Sequence, residues 1–502
     1  MGRAFSWLDT RRLMVIILFA SIFTMAVRTL LPPDMWWHLR CGQVQWAERT
    51  ILRADIFSHT AAGRPWVNQS WLAQIGMWVL YSVGGYQALA VAVAVIVTLT
   101  FGFVFAQGET SPYLRAFVVL LAAVASARVW VPRPHLLTFL LSGILGYLLY
   151  LYKHQGRNLL WLLPPLFALW ANVHGGYIVG FILVGCVILG EIGNHLLGVG
   201  ERILSWRQIL LLGGVAALSL AACLLNPQGY RLLLFPINTL SSTAQQQLIA
   251  EWASPNFHEA DLLPFLGLLL LTAAAVGLTG RRADATDLCL FLVFSAIGLR
   301  SGRYIGLAAL VMAPVAARSL SHFPMPVFHS SISPSSPSSS SSGTDLSPRV
   351  ALILNWTLLV AVLIACGVKL SLPLDPQLIA AVEEQAYPVA AVDYLVGHEL
   401  PGPMFNDYNW GGYLIWRLWP RYPVFVDGRA DPYSDELLWD YSAIVRLRPG
   451  VREKLAQYGV NCALIPSGGG LATLLGMDPA WEQVYDDGQA AIFVRCSMGG
   501  SP

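Results

Sequence analysis

The chain is built from apolar runs long enough to cross a bilayer, and that pattern limits its fold more than any other feature. A hydrocarbon core about 30 Å thick needs about 20 apolar residues per helix. Only helices or closed barrels satisfy the backbone inside it. Eleven runs are read between polar breaks, starting near Leu13, Tyr86, Leu114, His135, Leu159, Tyr177, Gln208, Leu262, Thr286, Arg303 and Val350. Composition agrees: charged residues are 12% of the 502, about half the share of a soluble domain, and mean hydropathy is +0.57. A net charge of +2 supplies no field for a polyanion. These features exclude a water-soluble enzyme, a disordered chain and a nucleic-acid binder.

Basic residues beside helix ends set the orientation. With Arg11 and Arg12 on the cytoplasmic side, the inner turns hold Arg115; Lys153 and Arg157; Arg202 and Arg207; Arg281 and Arg282; and Arg318 with Arg349. The outer side then receives a first loop, 31–71, a second loop, 226–261, and the C-terminal segment. The first apolar run lacks a small-residue cleavage site and reads as an anchor. Residues 1–320 form the membrane module. Within 321–349, Ser330–Pro348 is a Ser/Pro-rich run that cannot bury a core and reads as a cytoplasmic linker. A last membrane helix covers 350–370.

Beyond it, residues 371–502 regain charge and alternate short apolar strands with helices. Strands are expected at Pro403–Asn406, Val424–Asp427, Cys462–Ile465 and Ala490–Arg495, and helices at Val389–Leu395, Gly412–Trp419, Ser434–Leu447 and Val451–Tyr458. The expected fold class is therefore an α-helical polytopic membrane protein of about 11 transmembrane helices with a small C-terminal α/β extracytoplasmic domain. Seven cysteines lack CxxC spacing, and Cys462 with Cys496 is the only pair placed to meet.

The first outer loop is the richest stretch. Pro32 and Pro33 stop the first helix, and Asp34 follows directly, then Trp36, Trp37 and His38. The tryptophans read as interface anchors. A carboxylate at the membrane boundary is costly unless paired or used, so Asp34 is either a cap or partner for Arg40, or a general base. Asp55, in RADIFSHT, is a second catalytic candidate or an N-cap.

Several motifs together resemble the bacterial GT-C-like membrane glycosyltransferases, which include lipid-A and mannosyl- or arabinosyl-type transferases. They are Asp34-x-Trp36-Trp37-His38, Asp55-x-Phe57-Ser58, Arg133-Pro134-His135, Asn172-x-His174-Gly175-Gly176, Asn226-Pro227, Glu251-Trp252, Arg303-Tyr304, Asn409-Trp410-Gly411-Gly412 and Val426-Asp427-Gly428-Arg429. The resemblance implies a sugar donor on a polyprenyl phosphate, a glycan, lipid or protein acceptor, and transfer at the outer face of a bacterial inner membrane. It also implies an acidic residue of the first outer loop as catalytic base, a position Asp34 occupies. The loop has no Asp-x-Asp pair. No cofactor is required by the sequence, and Mg or Mn is the divalent cation such carboxylates would take.

Transfer from a lipid phosphate needs its developing charge stabilised, a task that suits the arginine fork. In this topology Arg128, Arg133, Arg300 and Arg303 fall at outer helix ends, against the positive-inside trend. They hold the donor phosphate or snorkel to headgroups. His38, His135 and His174 lie on the same side, and His174 is a ligand or a buried, bonded histidine. Glu251 belongs to an acceptor site or a solvated loop. Trp410, Asp427 and Arg429 bind a sugar, or Asp427 and Arg429 form a structural ion pair.

Two other functions remain: a transporter, and a non-catalytic scaffold. Transporters usually carry repeats and midplane charges, whereas the ionisable groups here cluster at the outer rim. A cavity joining Asp34 to Arg133 and Arg303 would favour the transferase.

Overall fold

The computed structural model describes residues 7–108, 110–279, 284–323 and 347–496. All eleven apolar runs are helical. They correspond to α1 (Thr10–Ala26), α3 (Trp71–Ala106), α4 (Pro112–Ser126), α5 (His135–Gln155), α6 (Leu163–Val173), α7 (Tyr177–Leu197), α8 (Trp206–Ala222), α11 (Leu263–Leu278), α12 (Ala285–Arg300), α13 (Ile305–Ser321) and α14 (Pro348–Ser371). Among the described residues, seven helical stretches are long and apolar enough to cross a membrane; α1, α6, α8 and α12 are shorter. Gly84 and Gly85 break the regular backbone of α3, so its 36 residues are two helices joined at a kink.

The ends of the bundle differ in chemistry. At one end Lys153 bridges Glu191 and Asp284, and Arg318 pairs with Asp287 at 2.5 Å. At the other lie Asp34, Arg133, His174 and Arg303. The expected turn at Arg281 and Arg282, and residues 324–346 of the linker, lie outside the described residues.

The two long loops expected on the outer side are largely folded. The first contains α2 (Pro33–Glu48), started by its prolines and ended by Arg49 in a left-handed conformation. The second contains α9 (Tyr230–Ser241) and α10 (Thr243–Leu248).

The C-terminal domain adds α15 (Pro376–Ala386), α16 (Val389–Gly397), α17 (Gly411–Leu418), α18 (Asp435–Val445), α19 (Val451–Gln457) and α20 (Gly470–Gly476). Its strands are β1 (Met404–Asn406), β2 (Cys462–Pro466), β3 (Trp481–Asp486) and β4 (Ala490–Arg495), in the order β1-β2-β4-β3. Only the β1–β2 pair is parallel. The strand expected at Val424–Asp427 does not form. That buried segment bonds instead to the first outer loop, with Val424 N donating to Phe57 O at 3.0 Å, and to the Asn406 side chain, which accepts from Phe425 N at 2.7 Å. Cys462 and Cys496 are not bonded: the first is buried, the second exposed, and both are free thiols.

The domain is clamped onto the first loop. Trp36 sits among Tyr387, Tyr413 and Trp416. Arg40 bonds carbonyls at the end of α17. Trp36 and Trp37 are thus 3% and 8% exposed, part of an internal interface and not belt anchors.

Candidate active site

Asp34 stands in the first turn of α2, where the Pro32-Pro33 start fixes the chain direction. One of its oxygens meets Arg133 Nη2 at 2.6 Å and the other accepts from Trp37 Nε1 at 3.1 Å. Its partner is therefore Arg133, not Arg40. Arg133 is held by the Val131–Pro134 turn before α5, and its Nη1 meets Glu251 at 2.6 Å. Glu251 also faces Arg303 Nε at 3.5 Å, and the Arg303 guanidinium lies 5.1 Å over Trp252. Acid and base thus alternate from Asp34 through Arg133 and Glu251 to Arg303.

Burial raises the Asp34 pKa above the ordinary carboxylate range; Arg133 pulls it back and Glu251 pushes it further up. Burial would also raise Glu251, but Arg133 and Arg303 prevail and hold it at about 2. The pair has been driven apart. Asp34 is the stronger base, and its oxygens keep lone pairs for a further donor.

A cavity of about 1390 Å³ opens on this row, lined by Asp34, Arg133, Glu251, Arg300 and Arg303. Two histidines join them. His174 Nδ1 accepts from Thr138 Oγ1 at 2.8 Å and from Gly176 N at 3.1 Å, while Thr138 itself accepts from Trp170 Nε1. The ring is thereby fixed with its proton on Nε2. His135 Nε2 donates to Val129 O at 2.8 Å. Another part of the wall is apolar, with Ile178, Val179, Ile182, Phe235, Ile297 and Leu307.

Apart from Arg429, which lines the cavity, the other expected residues lie elsewhere. Asp55 does not line the cavity. It is 1% exposed and accepts from Phe57 N and Ser58 N while meeting Arg429. Arg429 also binds Asp427 at 2.7 Å, and neither side chain has any exposure, so the structural ion pair is the arrangement found. Asp55 and Asp427 fasten loop to domain; neither carboxylate has the free face that a catalytic or sugar-binding group needs. Trp410 is buried, off the cavity wall. His38 is buried, with Nδ1 3.3 Å from Gln74 Nε2. Arg128 pairs with Glu259 at 2.6 Å on an exposed surface away from the cavity. Among the described residues no group of three His, Cys, Asp or Glu is placed to hold a metal ion.

Asp431, Tyr408 and Gln245 also line the cavity. Burial pushes Asp431 up to about 7, against Arg303 and a bond from Gln245. Gln245 has no distinguishing sequence signal. Asp431 had one, its place after the Val424–Asp427 segment in DGRAD.

The architecture is similar to that of the oligosaccharyltransferase of Archaeoglobus fulgidus solved with a tethered acceptor peptide containing the NVT sequon. The TM-score is 0.54, with 11% identity over 91% of this chain and 69% of that one. It is also similar to ArnT from Cupriavidus metallidurans in its apo state, with a TM-score of 0.51 and 15% identity over the full length of both chains. No sequence-family model matches the chain, and no curated protein sequence matches it. The chain shares the fold of these two solved proteins.

Proposed function

We propose that this chain is a membrane glycosyltransferase that moves a sugar from a polyprenyl-phosphate carrier to an acceptor. The observation that carries this reading is the single cavity in which Asp34, Arg133, Glu251 and Arg303 meet an apolar wall. A lipid phosphate needs both kinds of wall. In this reading Arg303 holds the donor phosphate: Glu251 engages only its Nε, and it is 39% exposed. Arg133, expected to share that task, is instead occupied by Asp34 and Glu251 and orients the base. Asp34 takes the proton from the acceptor hydroxyl as the new glycosidic bond forms, and the carrier leaves as phosphate. The positive-inside rule puts the cavity on the outer face.

Arg303→Ala tests the donor site. It should raise the donor KM or lower kcat at least tenfold in kcat/KM, about 1.4 kcal/mol of transition-state stabilisation. Unchanged kinetics would assign Arg303 to lipid headgroups and leave the phosphate without a partner.

A further inference from the structure

Three glycines of the C-terminal domain lie where a Cβ would fit only if a neighbouring group moved. A Cβ at Gly428 would land on Asp34 Oδ1, 3.2 Å from Asp34 Cγ and 3.7 Å from Trp37 Nε1. A Cβ at Gly412 would strike Pro33 O and lie 3.2 Å from Trp37 Cδ1. A Cβ at Gly411 would strike Val426 O and lie 2.7 Å from Asp427 Cα. Real Cβ atoms essentially never come closer than 3.0 Å, and two of these obstacles are backbone, which cannot swing aside. None of the three has a left-handed φ, so an alanine would suit each backbone conformation. What these positions require is space.

The three contacts form one stack. The start of α17 rests on the 426–428 segment through Gly411, and both rest on the first turn of α2 through Gly412 and Gly428. The stack is held from behind by Arg429, the next residue after Gly428, which binds Asp55 of the first outer loop and Asp427.

We infer that the C-terminal domain fixes the position of the Asp34 carboxylate, with Gly428 as the positioning residue against which Asp34 Oδ1 rests. The domain is then part of the catalytic apparatus: Gly428 owes its residue type to Asp34, and Gly411 and Gly412 owe theirs to the backbone they pack against. Its catalytic consequence rests on the reading of Asp34 as base; its geometric content does not.

The test is a double-mutant cycle on the full chain in lipid: wild type, Gly428→Ala, Asp34→Ala and the double variant, with Gly397→Ala as control. Gly397 has nothing within 4 Å of its would-be Cβ. Thermal melting reports the geometry and transfer reports the consequence. Gly428→Ala should lower Tm by several degrees in the wild-type background and by clearly less when Asp34 is already alanine, because the obstacle is gone. Should Gly428→Ala fail to fold, recovery of a folded double variant is the same positive result. Equal losses in both backgrounds, or a double variant that also fails to fold, would overturn the inference. For transfer, Gly428→Ala should lower kcat tenfold or more with little change in donor KM, and Gly397→Ala should match wild type. Wild-type kcat in Gly428→Ala would also overturn it. A wild type without transfer would remove the enzymatic reading, and the melting cycle would still decide the positioning.

Discussion

At the residue scale, one arginine separates two carboxylates whose pKa values are shifted in opposite directions. Arg133 touches both Asp34 and Glu251, yet burial raises Asp34 while Arg133 and Arg303 hold Glu251 at about 2. The base must be ionised to act, so activity should fall as pH drops through the raised Asp34 value. The acid limb of kcat/KM should therefore lie above the ordinary carboxylate range, and a limb at or below pH 4 would contradict this assignment of the base. Asp34 could be read from the sequence because two prolines and a membrane boundary isolate it. Its partner could not, since Arg133 lies far from Asp34 in the chain and only the fold brings them together. Asp55 misled for a physical reason: an acidic residue in a polar loop has the same local signature whether it faces a substrate or a buried arginine.

At the scale of elements, the ion triad of Asp55, Arg429 and Asp427 joins a membrane loop to a folded domain. Removing one member of a buried ionic cluster leaves uncompensated charge, at a cost of about 3–5 kcal/mol. Arg429→Met should accordingly lower the melting temperature of the purified protein strongly and loosen the C-terminal domain, seen as faster proteolysis between α14 and α15. A melt within about one degree of wild type would mean that the triad contributes little. The membrane helices were legible because each is a long apolar run. The strands were less so. Val424–Asp427 has a strand's apolar run, but its backbone groups bond to Phe57, His59 and the Asn406 side chain. Conversely β3 is an edge strand, WEQVYD, with polar residues at its three exposed positions, and no apolar run marks it.

At the scale of the whole molecule, the chain joins a basic-turn end, a bundle and a cavity covered by the C-terminal domain. The sidedness can be checked with thiols already present. Cys496 is the only one of the seven cysteines that is exposed. A membrane-impermeant maleimide should label it in intact spheroplasts, and Cys496→Ser should abolish the signal. Ser338→Cys, placed in the linker of that thiol-reduced variant, should be labelled only after permeabilisation. The reverse pattern would turn the protein over and place the cavity on the cytoplasmic face. The central claim, that this cavity transfers a sugar using Asp34, is tested most directly by a transfer assay. Wild type and Asp34→Asn would be purified in lipid and supplied with a panel of radiolabelled polyprenyl-phosphate sugars. Wild type should release sugar from at least one donor and Asp34→Asn should lose at least about 100-fold, with both proteins equally folded and equally able to bind donor. Equal transfer by the two proteins, or none by a folded wild type from any donor, would contradict it.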